Sequence, residues 1–142
     1  MDYLEIEDFE QIVDMLQLLR AEFTEDIPDF ETRYTGILEG IIGQIKANYY
    51  GRELYKGIVN KAVMMFYCLV KNHPFFNGNK RVAVVALYEF LKRNTNELYI
   101  DENNIWNNLS KMAIRASESD PEEMELVKNY LKRKIRSFII EF

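Results

Sequence analysis

With 142 residues, 48% hydrophobic and 29% charged, the chain has apolar material for one substantial core and is small for two, so a single domain over 1–142 is expected. Its formal net charge of −5 argues against nonspecific nucleic-acid binding, which depends on Lys and Arg at phosphates, so any site for a phosphorylated ligand must be local. No apolar run reaches the roughly 18 residues of a membrane span, and MDYLEIEDFEQ lacks the basic start and apolar stretch of a signal peptide, so a cytoplasmic protein with no membrane partner is expected.

Ile6, Phe9, Ile12, Val13, Leu16, Leu19 and Phe23 recur at helical spacing until Pro28 interrupts, which predicts an amphipathic helix over about 6–24. Phe30, Tyr34, Ile37, Leu38, Ile41, Ile42 and Ile45 continue the periodicity and predict a second helix, ended by a loop at KANYYGRE. Ile58, Val59, Ala62, Val63, Phe66, Leu69 and Val70 mark a third, which Pro74 must stop, leaving His73 just past its end. The run from Val82 to Leu91 is nearly all apolar and has the look of a buried strand. Its apolar spacing outlasts a strand, however, and it closes on Lys92, Arg93 and Asn94, which suit a helix C-terminus. A helix apolar on all sides belongs at the centre of a fold. Two more helices are predicted, about 101–117 behind the candidate N-cap Asp101 and about 121–140 behind Asp120 and Pro121.

The expected fold class is therefore all-α, with nine Phe, nine Tyr and one Trp supplying much of the buried area. The basic cluster Lys128, Lys132, Arg133, Lys134 and Arg136 reads as a solvated face of the last helix. One cysteine and one histidine exclude a disulfide framework and a Cys/His zinc cluster within the chain. Cys68 lies in the apolar stretch KAVMMFYCLV, a poor setting for a reactive thiol.

The chemistry concentrates in HPFFNGNKR at 73–81, a short loop between the third helix and the apolar one. The first turn of a helix leaves backbone N–H groups without intrahelical partners, and with the helix dipole they form an anion site. Gly78 lets a phosphate approach those amides, Asn79 adds side-chain donors, and Lys80 and Arg81 bring two cations, Arg81 in bidentate geometry. His73 at the other end of the loop suits proton transfer near neutral pH. A Walker A loop is excluded, because no glycine lies five residues before Gly78 and Arg81 stands where Ser or Thr would bind magnesium.

HPFFNGNKR resembles the Fic/Doc signature His-x-Phe-x-(Asp/Glu)-(Gly/Ala)-Asn-(Gly/Lys)-Arg, with the resemblance extending over about 30–120 and Asn77 the one departure. The resemblance implies a Fic/Doc-type helical bundle that transfers part of a nucleoside triphosphate such as ATP, with Mg2+, to a Ser, Thr or Tyr hydroxyl of a target protein. It assigns His73 as the base, Phe75 as the anchor of the loop in the core, and Gly78, Asn79, Lys80 and Arg81 as the phosphate holders. Asn77 replaces the acid that binds magnesium and offers a neutral oxygen, a weaker ligand for a hard cation. That departure implies reduced metal affinity and, as the alternative function, a catalytically impaired binding or regulatory module.

Lys80 leans toward the Doc branch and transfer of the terminal phosphate, with AMP transfer the alternative within the class. The loop near 47–53 takes the place of the family's target-docking flap, with Tyr49 and Tyr50 as its contact residues. Thr35-Gly-Ile-Leu-Glu39-Gly40 fits a short self-inhibitory pattern but falls on the predicted core helix. Inhibition by a separate antitoxin, with this chain as the toxin of the pair, is what the resemblance implies.

Overall fold

The computed structural model describes residues 1–19, 26–96, 98 and 102–139, with the backbone alone at 102 and 103. Helix α1, Ile6–Leu18, buries Phe9, Ile12, Val13 and Leu16 along one face. It is opened by the Asp8 carboxylate, which accepts from the Glu5 N–H at 2.7 Å. The predicted end of this helix near residue 24 lies outside the described residues.

The second predicted helix is shorter than its apolar spacing suggests. Phe30–Thr32 makes a single 3₁₀ turn, the chain extends at Arg33, and helix α2 begins only at Ile37–Lys46. Two forces stop the helix from running through. Gly36 takes a left-handed φ of 84°, and the Tyr34 N–H is drawn out to the Pro74 carbonyl at 3.0 Å. Spacing reports which residues face the core, and Phe30, Leu38, Ile41 and Ile45 are all buried; it does not report whether one backbone helix carries them.

The loop after α2 is a small antiparallel hairpin, β1 Asn48–Tyr49 with β2 Arg52–Glu53, in the register Asn48 to Glu53 and Tyr49 to Arg52. Tyr50 and Gly51 both have positive φ, 54° and 79°, the pattern of the two-residue turn whose twist matches the strands. The Leu54 N–H closes the base of the hairpin on Ala47 O at 2.9 Å.

Helix α3, Gly57–Lys71, is buried without interruption from Lys61 to Val70. Helix α4, Asn79–Asn94, takes up the apolar run whose length predicted a helix rather than a strand. Helix α5 is Glu102–Ser117, and α6, Met124–Ser137, follows a 3₁₀ turn at Pro121–Glu123. Asp120 caps that 3₁₀ turn, with its N–H donating to the Glu123 carboxylate at 2.9 Å, and α6 itself starts later than the predicted 121, at Met124 behind Glu123.

The fold is all-α. Helices α3 and α4 pack on each other, α3 also meets α2, α5 and α6, and α4 also meets α1 and α5, so the two apolar helices share the centre. Lys71 at the end of α3 donates to Ser119 O at 2.6 Å and ties that end to the turn after α5. Cys68 is buried inside α3 and burial pushes its thiol pKa up, so it is inert. No helix of the described residues is long and apolar enough to cross a membrane.

Candidate functional site

The loop between α3 and α4 is built from restraints that its sequence makes unavoidable. Proline at 74 disfavours helical geometry in the residue before it, and His73 takes the left-handed region instead, at φ 49°. For a residue with a Cβ that conformation costs about 1–2 kcal/mol, the kind of local strain that concentrates at functional sites. Phe75, 2% exposed, anchors the loop in the core against the Phe30 ring at 6.1 Å. Phe76 and Asn77 point to solvent, and Phe76 meets Tyr34 edge-on at 4.7 Å. Gly78 then reverses the chain with φ 77°, and a Cβ there would stand 2.7 Å from Ile27 Cδ1.

Asn79 closes the loop. Its Oδ1 accepts from the Phe75 N–H at 3.0 Å, its Nδ2 donates to Phe75 O at 2.9 Å, and the same Nδ2 lies 3.4 Å from His73 Nδ1. The carboxamide expected to face a phosphate thus faces the loop. What Asn79 can offer an anion is its backbone amide.

The first intrahelical bond of α4 runs from Val82 N–H to Gly78 O at 3.0 Å. By helix geometry the N–H groups of Asn79, Lys80 and Arg81 therefore have no acceptor within the helix and open its positive end toward the loop. Lys80 is exposed and Arg81 half-buried beside them. The structure thus brings His73, Phe75, Asn77, Gly78, Asn79, Lys80 and Arg81 together in one loop and one helix start. His73 remains exposed, with its ring turned toward α4.

Tyr49 and Tyr50 stand exposed on the hairpin. Their hairpin precedes α3 and His73 follows it, and the fifteen residues of α3 span about 22 Å at the helical rise. The hairpin is clamped at that far end, where Gln44 Nε2 donates to Tyr55 Oη at 2.9 Å and Lys61 Nζ donates to Tyr55 O at 2.6 Å. The stretch from Ile27 to Tyr34 borders the loop, through the Gly78, Phe75, Phe76 and Pro74 contacts. The entry to α2 meets the loop through these contacts.

Glu39, the acid of the self-inhibitory pattern, pairs with Arg33 at 3.2 Å on α2. Lys61, 0% exposed in an apolar helix, drew no attention in sequence although a lone lysine in KAVMMFYCLV is a legible signal. It pairs with Glu53 at 3.5 Å. As for magnesium, no group of three or more His, Cys, Asp or Glu that could hold a metal occurs among the described residues. Asn77 offers one neutral, exposed oxygen, which does not make a metal site by itself.

Helices packed round a buried pair, with one of that pair opening on a histidine-led loop, define an all-α domain whose central helix starts on backbone amides without acceptors in the helix. A model of the Fic/DOC family matches residues 3–91. The chain belongs to the Fic/DOC family. Over 73 residues it is 32% identical to a protein named Toxin Doc from Mycolicibacterium smegmatis, a stretch that covers 51% of this chain and 56% of that protein. The chain therefore spans little more than half the length of that relative. No solved structure matches it.

Proposed function

We propose that this chain, a single domain over 1–142, is a nucleotide-dependent transferase that modifies a Ser, Thr or Tyr hydroxyl of another protein. The observation that carries the reading is the join across one loop: His73 Nδ1 lies 3.4 Å from Asn79, whose backbone amide opens α4. A phosphate received at that helix start lies within reach of the only imidazole in the chain.

In the reaction His73 takes the proton of the target hydroxyl, and the freed oxygen attacks phosphorus. With the terminal phosphate as the group moved, the O–P bond to the target forms as the bond to the nucleoside diphosphate breaks. The charge that develops on the phosphate oxygens falls on the amides of Asn79, Lys80 and Arg81 and on the Lys80 and Arg81 side chains. Phe75 and the Asn79 carboxamide keep the loop in shape. Lys80, at the position where the family has Gly or Lys, favours the Doc-like transfer of phosphate over transfer of AMP. A relative named Toxin Doc supports the reading of this chain as a toxin, and with it an antitoxin protein as its inhibitor.

The test is transfer of label from ATP labelled on the α or γ phosphate to proteins of a cell extract, with a His73→Ala control. γ-Label that depends on His73 is the expected result, and α-label would mean AMP transfer. No His73-dependent label from either position favours the second reading, a binding or regulatory module. That reading has its own observation, the neutral Asn77. A magnesium ion bound with the nucleotide would have Asn77 as its protein contact and would neutralise charge on the phosphate oxygens. Asn77→Asp is expected to raise the magnesium affinity of the nucleotide complex about tenfold or more, as a carboxylate replaces an amide oxygen. Magnesium titration of nucleotide binding in both proteins measures it, and equal affinities would separate Asn77 from the metal.

A further inference from the structure

The histidine is held by a group that has no freedom to turn over. The Asn79 carboxamide accepts from the Phe75 N–H at 3.0 Å and donates to Phe75 O at 2.9 Å. Rotating it by half a turn would set NH2 against N–H and oxygen against carbonyl, losing both bonds at a residue only 9% exposed. Its Nδ2 has a second hydrogen, and His73 Nδ1 lies 3.4 Å from that nitrogen. A donor therefore faces Nδ1, and only a bare lone pair answers it.

From this geometry we propose that Asn79 is a positioning residue that keeps the resting His73 ring in the tautomer carrying its proton on Nε2. The consequence for chemistry rests on the reading of His73 as the base. In this tautomer the ring's outward nitrogen is a hydrogen-bond donor, suited to a phosphate oxygen, and it has no lone pair for a hydroxyl proton. To act as base, Nε2 must release its proton to water while Nδ1 takes one from water, and Nδ1–H must leave Asn79 for an acceptor. His73 is exposed, so water has access to the ring for that exchange. Asn79 thus holds the base in a resting form that the assembled complex has to undo.

With one histidine in the chain, ring 15N labelling gives a single pair of signals. At alkaline pH, where imidazole is neutral, the proton is expected on Nε2, with the minor tautomer reduced about fivefold below its share in free histidine, the factor an ordinary hydrogen bond is worth. Asn79→Ala should return that share to the free-histidine value. Asn79→Asp keeps an acceptor for the Phe75 N–H and turns a second acceptor to Nδ1, so the proton should move to Nδ1. A wild-type ring protonated on Nδ1, or a wild-type ratio equal to that of free histidine, overturns the proposal without any variant. So does a folded Asn79→Asp protein that keeps its proton on Nε2. These signals need neither nucleotide nor target, so a failure of His73-dependent labelling would overturn the proposed function and leave this inference standing or falling on its own result.

Discussion

His73 combines two demands that oppose each other at a single residue. Its backbone is left-handed, at φ 49°, where glycine is at home, while its side chain is the one imidazole of the chain. His73→Gly is therefore expected to stabilise the folded protein by up to about 1 kcal/mol, as the Cβ penalty disappears and the greater freedom of unfolded glycine offsets part of the gain. The same change should abolish labelling of target proteins. Urea midpoints of the two proteins measure the first effect, and a midpoint that falls would mean that the ring contributes more through its contacts than its backbone conformation costs. Gly78 shows the complementary case: its φ of 77° and the nearness of Ile27 both favour the absence of a side chain, so that position serves backbone geometry first.

At the scale of elements, the hairpin and α3 meet through a buried cation. Lys61 has no exposed surface and holds Tyr55 O at 2.6 Å and Glu53 at 3.5 Å, while Gln44 holds the Tyr55 hydroxyl from α2. Burial also pushes the Tyr55 hydroxyl pKa up, so it stays a neutral partner for Gln44. Removing one partner of a buried ion pair is costly when the other charge stays buried, but Glu53 is exposed and remains solvated, so the Lys61 desolvation penalty vanishes with the attraction. Lys61→Met is accordingly expected to change unfolding free energy by less than about 1.5 kcal/mol while freeing the hairpin. Hydrogen exchange at the Leu54 amide, which closes the hairpin on Ala47, should accelerate markedly. Unchanged exchange there would show that the strand pairing and the Gln44 contact hold the hairpin without Lys61.

Across the whole molecule, α1 is fastened to α4 by Asp8 and Arg93 at 2.8 Å, with Glu89 and Asp2 adding longer pairings at 3.4 and 3.7 Å. The hydrogen bond from Arg93 is the main cause holding the Asp8 carboxyl below its ordinary value of 3.8, with the Glu5 N–H adding to it against the effect of burial. The folded state thus binds the Asp8 proton less readily than the unfolded chain. The pair contributes its full stability above pH 3.8 and loses it as the pH falls through the depressed value. Wild type should therefore lose more stability than Asp8→Asn between pH 5 and pH 2.5, with the variants compared by urea unfolding at each pH. Parallel losses would mean that the pairing is as strong in the unfolded chain.

Much of this molecule is legible before folding. The apolar spacing at Phe9, Ile12, Val13 and Leu16, the stop at Pro74, the cap at Asp120 and the order HPFFNGNKR are local features, and local chemistry decides helix faces, helix ends and the presence of unpaired amides at a helix start. Distance along α3 is also local, and it sets the base of the hairpin and His73 at opposite ends of one unbroken helix. Other features depended on groups remote in sequence. The Tyr34 amide reaches Pro74 and helps keep Phe30–Thr32 out of α2, a competition that periodicity cannot register. Asn79 turns its carboxamide into the loop because Phe75, folded back by the core contact with Phe30, presents both backbone groups to it. By itself the sequence determined most of the apolar core and which chemistry is available. Only tertiary packing decided which partner each polar group meets, because hydrogen bonds are directional and short-ranged and are settled by the final few ångströms of approach.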